Sequence, residues 1–203
     1  MKISYAVPVC NEHIEIETLL SFLIEKIDKE DEIIVQCDKG KTTPEVYEVL
    51  DRLKQPYIEF PLKGDFASFK NNLKNHCNGD WIFQIDADET PHPELLLNLK
   101  SLLEINTHTE LILIPRVNTV KGITQEHINK WRWNVNDKGW VNWPDYQTRI
   151  IQNSPKIQWV SKVHEVITGF STKSLLPAEE NWCLYHHKNI KRQEDQNKFY
   201  DTL

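Results

Sequence analysis

The sequence predicts an α/β domain with a mainly parallel central sheet flanked by helices. Short apolar segments of strand length alternate with amphipathic segments of helix length up to about residue 115. Strands and helices that alternate in this way form parallel strands joined by right-handed crossovers. The chain of 203 residues, with 39% hydrophobic residues, is long and apolar enough to bury one sizeable core. We therefore predict a single domain covering residues 1–203.

Five strands are predicted in the regular first part, at residues 2–9, 31–37, 57–61, 80–85 and 110–115. Each is a short, mostly apolar run bounded by polar or turn-forming residues. The first is stopped by Pro8, which lacks the N–H that a strand ladder needs. The second is ended by the polar segment "DKGKTTPE".

Four helices are predicted between these strands. Asn11 is placed to cap the first helix. Its apolar residues recur at helical spacing and are Ile16, Leu19, Leu20, Leu23 and Ile27. Pro44 opens the second helix, since proline is favoured in a first helical turn. The third and fourth helices are predicted at residues 65–77 and 93–104.

The alternation weakens beyond residue 115. From there to Trp182 the chain is rich in Trp, Asn and Pro, with short strand-like runs at residues 147–153 and 156–160. The polar segment at residues 189–203 is expected to be a surface helix. We therefore predict a more irregular second half within the same domain.

The composition argues against several classes of protein. The formal net charge is -6 and the chain has no long Lys/Arg run, so no nucleic-acid partner is expected. No segment approaches the ~20 apolar residues that span a bilayer, so no transmembrane segment is expected. The four cysteines are widely spaced without a CxxC pair. They are expected to be reduced, which predicts a cytoplasmic protein.

The stretch "GDWIFQIDADETPHPELL" ends a buried strand with three acids, Asp86, Asp88 and Glu89. In open α/β sheets, ligands bind beyond the carboxyl ends of the strands. A divalent cation, Mg²⁺ or Mn²⁺, takes one or two carboxylates together with substrate phosphates, and it would relieve the repulsion between the acids. The plainer interpretation is an acidic helix N-terminus capped by Asp88 or Thr90. The position at the end of a buried strand favours the metal site.

Polar residues also follow the other strand ends. "PVCNE" follows the first strand, "CDKGKT" follows the second, and "FKNN" lies on the helix before the acidic strand. Asp38 could accept a hydrogen bond from a base, and Lys70 could neutralise a phosphate. Singly, each is also compatible with an ordinary turn or helix-face residue.

Four segments together resemble family 2 glycosyltransferases of the GT-A fold: "YAVPVCNE", "DEIIVQCDKGKTTPE", "FASFKNNLKNHCNGDWIFQIDADE" and "RIIQN…IQWVSKVHEVITG". The pieces "QIDADE" and "VHE" are most similar to small lipopolysaccharide-core-type sugar transferases. The resemblance implies a UDP- or GDP-sugar donor, a divalent metal and a glycan or lipid-linked glycan acceptor. It also implies a nucleotide-binding half at residues 1–115 and an acceptor-binding half at residues 116–203.

The donor-binding residues implied by the resemblance are Pro8, Asn11, Glu12, Asp38, Lys70, Asn71 and Asp86. The first three would line the nucleoside pocket, and Asp38 would lie beside the base. Lys70 and Asn71 match the family's Arg-Asn pair near the diphosphate. Asp86 would approach the ribose or the metal, and Asp88 would bind the metal directly. The chain departs from the family after the second strand, where "QCDKGKTTP" replaces the common "DDGSTD" or "DSGSTD".

The resemblance implies further site residues in the second half. Glu165 matches the acidic position that the family uses as general base in an inverting transfer. His164 would orient Glu165 or touch the metal, although "VHEVI" also fits a strand with outward polar residues. His186 or His187 matches a C-terminal metal-binding histidine, and imidazole is an acceptable Mn²⁺ ligand. We favour His186, because Lys188 then lies close to the diphosphate.

Two other classes of protein stay open. A nucleotide-sugar or glycan-binding module could keep the fold without turnover, but it would not need both Asp88 and Glu165. A nucleotidyltransferase also uses a strand-end acid pair with Mg²⁺. That class expects a Gly-rich loop after the first strand, and "VPVCNEHIE" has no glycine. If Glu165 is not the base, Asp145 in "NWPDYQ" is the next candidate.

Overall fold

The computed structural model describes the backbone of residues 1–200 and the side chains of residues 1–195. Its elements are, in chain order, β1 (Ile3–Val9), α1 (His13–Lys26), β2 (Glu32–Asp38), α2 (Pro44–Leu53), β3 (Tyr57–Phe60), α3 (Phe66–Asn75), β4 (Trp81–Gln84), β5 (Glu89–Pro91), α4 (Pro93–Ile105), β6 (Leu111–Ile114), β7 (Arg116–Lys121), α5 (Gln125–Trp131), β8 (Gln147–Gln152), β9 (Gln158–Val160), β10 (Val166–Thr168), β11 (Lys173–Leu175), β12 (Leu184–Asn189) and α6 (Ile190–Tyr200). A short 3-10 helix, Glu180–Trp182, precedes β12. Residues 201–203, the end of the predicted domain and of its polar C-terminal segment, lie outside the described residues.

The central sheet has seven strands in the order β11-β6-β8-β4-β1-β2-β3. Pairings within the β4-β1-β2-β3 part and between β11 and β6 are parallel. β8 runs antiparallel to both β4 and β6. The prediction of a mainly parallel central sheet is therefore confirmed, with one strand from the irregular second half inserted in the opposite direction.

Helices cover both faces of this sheet. Alternate β1 residues, among them Tyr5 and Val7, pack in one cluster with the buried faces of α1, α2 and α4. Ala6, on the other face of β1, packs in a second cluster with Leu73 of α3. The period-two alternation of a strand thus divides the core into two layers.

The first helix begins differently from the prediction. Asn11 was expected to cap α1, but Glu12 is the N-cap residue and no side chain caps the helix. The Glu12 carboxylate instead accepts hydrogen bonds from the backbone N–H groups of Cys10 and Asn11, both at 2.9 Å. The Glu12 side chain is longer than that of Asn11, so its carboxylate can reach back to these two backbone N–H groups.

Two small sheets are built from short strands. β5, β12 and β7 form a three-stranded sheet in which β12 is central, antiparallel to β5 and parallel to β7. β9 and β10 form a hairpin. Gly169 follows β10 with a φ of 84° and lies so close to Lys156 that a Cβ would meet its carbonyl oxygen at 1.8 Å. The three-stranded sheet brings β12 beside the acidic segment that follows β4.

Within the described part of the chain, no helix combines the length and apolar character needed to cross a membrane.

Candidate active site

The acidic segment lies between β4 and β5, at the carboxyl end of a central strand. β4 ends at Gln84, residues 87 and 88 form a turn, and β5 begins at Glu89. The predicted place of Asp86 and Asp88 beyond a strand end is thus confirmed. The three acids nevertheless have different surroundings. Glu89 is fully buried, whereas about a third of the Asp86 side chain, 34%, is exposed.

Two arginines hold the buried side of the acidic segment. Arg149 of β8 forms ion pairs with Asp86 and, at 2.6 Å, with Glu89. Arg116 of β7 donates to Glu89 at 2.8 Å. Burial alone would raise the pKa of Asp86, but the positive charges of Arg149 and Lys70 outweigh it and lower the pKa below its ordinary value. Asp86 is therefore held in its charged form.

The Asp88 carboxylate faces His186 of β12 and Arg192 of α6. Its Oδ2 atom lies 3.2 Å from Nε2 of His186 and 3.2 Å from Nη2 of Arg192. Burial would raise the pKa of Asp88, but His186, Arg192 and Lys188 lower it far below its ordinary value. The carboxylate is thus ionised and surrounded by basic groups, which could also attract an anionic ligand.

A chain of hydrogen bonds fixes the orientation of His186. Asp145 can only accept, so Asn118 must donate its Nδ2–H to Asp145, at 2.8 Å. The Asn118 Oδ1 atom then faces His186 Nδ1 at 2.8 Å, and Nδ1 must carry the proton. The other ring nitrogen, Nε2, points at Asp88. Metal-binding histidines are oriented by the same kind of partner on the other ring nitrogen.

The two histidines considered as metal ligands point in different directions. His186 is buried beside Asp88. His187, which follows it on β12, is exposed, lies 2.6 Å from the Thr119 hydroxyl and stacks on Tyr185. Alternation along the strand separates them, and the geometry selects His186 over His187 as the neighbour of Asp88.

Lys188 follows the two histidines on β12. Burial lowers its pKa, and the repulsion of Arg116 and Arg192 adds to this effect against the attraction of Asp88. A cavity opens here beside His186. Its lining residues are Arg116, Asn118, Thr119, Val120, Trp133, Val141, Asn142, Asp145, His186, Lys188 and Gln193. Lys188 therefore lies both near Asp88 and on the wall of a cavity.

Asp145 was the second choice as general base, and the structure uses it differently. Its Oδ2 atom accepts from Nη2 of Arg116 at 2.6 Å and from Asn118. Its Oδ1 atom accepts from Gln147 at 2.9 Å. Burial raises the pKa of Asp145, but Arg116 and these hydrogen bonds lower it overall. A carboxylate bound in this way is a poor proton acceptor, which counts against Asp145 as the fallback base.

The residues predicted for the nucleoside line the ends of β1 and β2. Pro8 is half-buried in β1, and Asn11 is exposed in the following turn. Glu12 pairs with Arg192 at 3.1 Å. Asp38 is buried at the end of β2 and accepts from the backbone N–H of Leu62 at 2.9 Å. These side chains flank one sheet edge, and their contact with a nucleoside stays a prediction.

Lys70 and Glu165 meet on the other side of Asp86. Lys70 of α3 forms an ion pair with Glu165 at 2.5 Å and lies 4.3 Å from the ring centre of Trp159. Asn71 bonds the Trp159 backbone in both directions, with Nδ2 donating to the carbonyl at 2.8 Å and Oδ1 accepting from the N–H at 2.9 Å. Asn71 therefore holds β9 in place, and its predicted contact with a diphosphate has no counterpart in these bonds.

His164 and Glu165 precede β10 rather than lying within it. His164 has a φ of 54°, a left-handed conformation that is uncommon outside glycine. The alternative of a plain strand over "VHEVI" is thus right only for its last part, because β10 begins at Val166. The turn at His164 brings the Glu165 carboxylate to Lys70.

The arrangement fits a metal held jointly by the protein and a ligand. Within the described residues, no group of three His, Cys, Asp or Glu side chains is placed to hold a metal ion. Asp88 and His186 supply two donors of types that Mn²⁺ accepts, an oxygen and an imidazole nitrogen. Such a site needs further oxygen ligands, and a diphosphate provides them.

Sequence reasoning missed five residues of the site: Glu89, Arg116, Asn118, Arg149 and Arg192. Glu89 was taken only as the third acid of a cluster. Arg149 carried a signal, because it directly precedes the apolar pair Ile150 and Ile151 in a predicted strand, and a charged residue must be paired when buried. For Asn118 and Arg192 we find no local signal, since their partners are distant in the sequence.

The comparisons with known proteins agree with the fold and the motifs. A family model described as "Glycosyl transferase family 2" matches residues 4–167. The crystal structure of residues 1–349 of TarS from S. aureus has a TM-score of 0.64 at 15% sequence identity, covering 92% of this chain and 60% of that one. The same fragment in complex with UDP-GlcNAc has a TM-score of 0.63 at 16% identity, covering 93% of this chain and 59% of that one.

A more remote match is glucosyl-3-phosphoglycerate synthase from Mycobacterium tuberculosis in complex with Mn²⁺ and UDP-glucose. Its TM-score is 0.48 at 20% identity, covering 58% of this chain and 43% of that one, which is too low to carry an argument. Comparison with curated proteins gives no match. The chain spans about 60% of the length of the TarS fragment.

The fold of the chain is the GT-A fold, as the sequence predicted. The family match extends over most of the chain and includes the acidic segment and Glu165. The chain belongs to glycosyl transferase family 2.

Proposed function

We propose that this chain is a metal-dependent, inverting glycosyltransferase that moves a sugar from a nucleoside diphosphate to a hydroxyl group of a glycan or lipid-linked glycan acceptor. The observation that carries the proposal is the meeting of Asp88 and His186, at 3.2 Å, beyond the carboxyl end of β4. Basic side chains surround this pair, and the sheet edge beside it carries the residues predicted for a nucleoside.

The donor would lie along the sheet edge from β2 to the acidic segment. Asp38 and Glu12 are placed at its nucleoside end, and Lys70 and Lys188 at its diphosphate end. The TarS fragment was crystallised with UDP-GlcNAc and with UDP, which makes UDP-sugars the first donors to test. Lys70 acts electrostatically on Asp86, so its ammonium is close enough to the acids to share an anionic ligand with them.

Asp88 and His186 would hold the divalent metal, Mn²⁺ or Mg²⁺. When bound, this ion would supply positive charge to the leaving diphosphate. The protein contributes the orientation of the ligands. Asp145 and Asn118 keep Nε2 of His186 directed at Asp88, and Arg149 keeps Asp86 charged and in place.

Glu165 would be the general base. The acceptor oxygen bonds to the anomeric carbon as the bond from that carbon to the diphosphate oxygen breaks. The acceptor proton passes to the Glu165 carboxylate, and the electron pair of the broken bond leaves on the diphosphate. In the structure Lys70 pairs with Glu165. A bound diphosphate would draw Lys70 away and leave Glu165 to the acceptor.

The test begins with donor binding and turnover. UDP- and GDP-sugars are screened for hydrolysis with Mn²⁺, and UDP and GDP are titrated by calorimetry with Mn²⁺ and with EDTA. We expect binding that EDTA weakens strongly. Equal affinity under both conditions would count against a metal bridge.

Two substitutions then separate the roles of the acids. Glu165→Gln keeps the shape but not the proton affinity, so donor binding should persist while kcat falls about 10²–10⁴-fold. Asp88→Asn should weaken metal and donor binding together. Glu165→Gln with turnover within a few-fold of the wild type would place the base elsewhere.

A non-catalytic binding module is the second candidate, and the Lys70–Glu165 ion pair favours it. Both groups are largely buried, and a base that stays bound to lysine cannot take a proton. Tight nucleotide binding without turnover for any donor and acceptor pair would support this candidate.

A further inference from the structure

Arg192 joins two parts of the site that are remote in sequence. It lies in the first turn of α6. Its Nη2 atom is 3.2 Å from Oδ2 of Asp88 and 3.1 Å from Oε1 of Glu12, and its Nη1 atom is 2.6 Å from Oε1 of Glu15. One guanidinium therefore neutralises carboxylates from both the β1–α1 turn region and the acidic segment.

This position lies across the donor path of the proposed function. Glu12 belongs to the nucleoside end of the site and Asp88 to its metal end, and Arg192 Nη2 contacts both. A nucleoside diphosphate that reaches from one end to the other must displace the guanidinium or bind it. Arginine binds phosphate oxygens through a planar fork of donors, so binding is the favoured outcome.

Arg192 also competes with a metal at Asp88. The same Oδ2 atom forms an ion pair with Arg192 and faces Nε2 of His186, each at 3.2 Å. A divalent cation between Asp88 and His186 would lie within a few ångströms of the guanidinium, and like charges at that separation repel. In the structure Arg192 thus provides positive charge at the place where a metal would provide it.

We propose that Arg192 is an exchangeable counter-ion of the site. Without ligand it neutralises Asp88 and Glu12; when the metal and a nucleoside diphosphate bind, it leaves Asp88 and its guanidinium binds the diphosphate. The proposal rests on the proposed nucleotide-sugar transfer. It implies that Arg192 opposes binding of the metal alone and favours binding of the nucleotide, so its loss changes the two affinities in opposite directions.

The experiment compares Arg192→Gln with the wild type in two titrations. Mn²⁺ alone is followed by electron paramagnetic resonance of the free ion, and UDP or GDP with saturating Mn²⁺ by calorimetry. We expect Mn²⁺ alone to bind about five-fold more tightly to Arg192→Gln, because a partly exposed competing ion pair is lost. We expect the nucleotide to bind roughly ten-fold more weakly, because a charge-assisted phosphate contact is lost.

Matched controls separate these effects from damage to the fold. Arg52→Gln removes an exposed Arg–Glu17 ion pair of 2.7 Å far along the chain, and both affinities should stay unchanged. Glu15→Gln removes the anchor of Arg192 on α1 but keeps the guanidinium, so nucleotide affinity should remain within two-fold or so of wild type. Arg192→Lys should restore part of the nucleotide affinity.

The possible outcomes test the role of Arg192 separately from the proposed function. If Arg192→Gln weakens both titrations, or if Glu15→Gln copies it, Arg192 merely attaches α6 and the proposal is overturned. If Arg192→Gln binds Mn²⁺ no more tightly than the wild type, the exchange is also overturned. A wild type that binds Mn²⁺ but neither UDP nor GDP contradicts the proposed function, while the Mn²⁺ comparison still tests the competition.

Discussion

Replacing Arg149 with methionine removes a buried cation that pairs with two carboxylates of the acidic segment. Arg149 is 4% exposed and pairs with Asp86 and with the fully buried Glu89. Methionine has a similar length, fills much of the same space and carries no charge. After the substitution, Glu89 keeps its contacts with Arg116 and with the backbone N–H of Asp86, and Asp86 loses its nearest positive charge.

The expected loss of stability follows from these contacts. Removing one partner of a buried ion pair costs about 3–5 kcal/mol, because a buried charge is left uncompensated. Two features place Arg149→Met near the lower end. Arg116 still donates to Glu89 at 2.8 Å, and Asp86 is partly exposed to water. In addition, Arg149 Nε is buried without a hydrogen-bond partner among the described residues, so its removal recovers some desolvation cost.

Urea denaturation followed by circular dichroism measures the effect. A loss of about 3 kcal/mol corresponds to a midpoint lower by roughly 1–3 M urea for ordinary slopes. Arg52→Met, at an ion pair with both side chains about half exposed, is the control and should cost less than about 1 kcal/mol. If Arg149→Met costs no more than this control, Arg149 does not support the acidic segment as described.

Three further predictions concern the site, the pH response and the hairpin. Asn118→Leu should release the His186 ring and weaken Mn²⁺ binding about 10–100-fold, measured by calorimetric titration with Mn²⁺. Burial opposes the charge on Glu32, but hydrogen bonds from Lys2, Ser4 and Asn78 lower its pKa to about 2. The stabilising contribution of Glu32 should thus be fully present above pH 4.5 and be lost as the pH drops toward 2. Glu32→Gln should remove that part of the pH dependence of the melting temperature. Gly169→Ala should destabilise the β9–β10 hairpin, seen as faster amide exchange there, because its Cβ would meet the Lys156 carbonyl.

The sequence was informative wherever the deciding interactions are local. Pro44 opens α2 as predicted, and the helical spacing of Ile16, Leu19, Leu20 and Leu23 matches the buried face of α1. Strand ends and helix starts are determined by residues within a few positions, so patterns of period 2 and 3.6 are sufficient to find them.

The arrangement of the acids could not be predicted in the same way. Asp86, Asp88 and Glu89 are adjacent in sequence and similar in chemistry, yet one is partly exposed, one faces a histidine and one is fully buried. What distinguishes them is the side chains of Arg149 and His186, which are 60 or more positions away. Tertiary pairing of this range leaves no periodic pattern in the sequence.

The separation between Asp88 and His186 also has a consequence during biosynthesis. They are 98 positions apart. Because ribosomes add about 5–20 residues per second, His186 is synthesised roughly 5–20 s after Asp88. Strands β1, β2, β3 and β4 are available for pairing before that time, whereas β12 is among the last elements made. A nascent chain paused before residue 184 would therefore carry Asp88 without the His186 imidazole and the Arg192 guanidinium that lie beside it, and the proposed metal site could not assemble until translation passes that point.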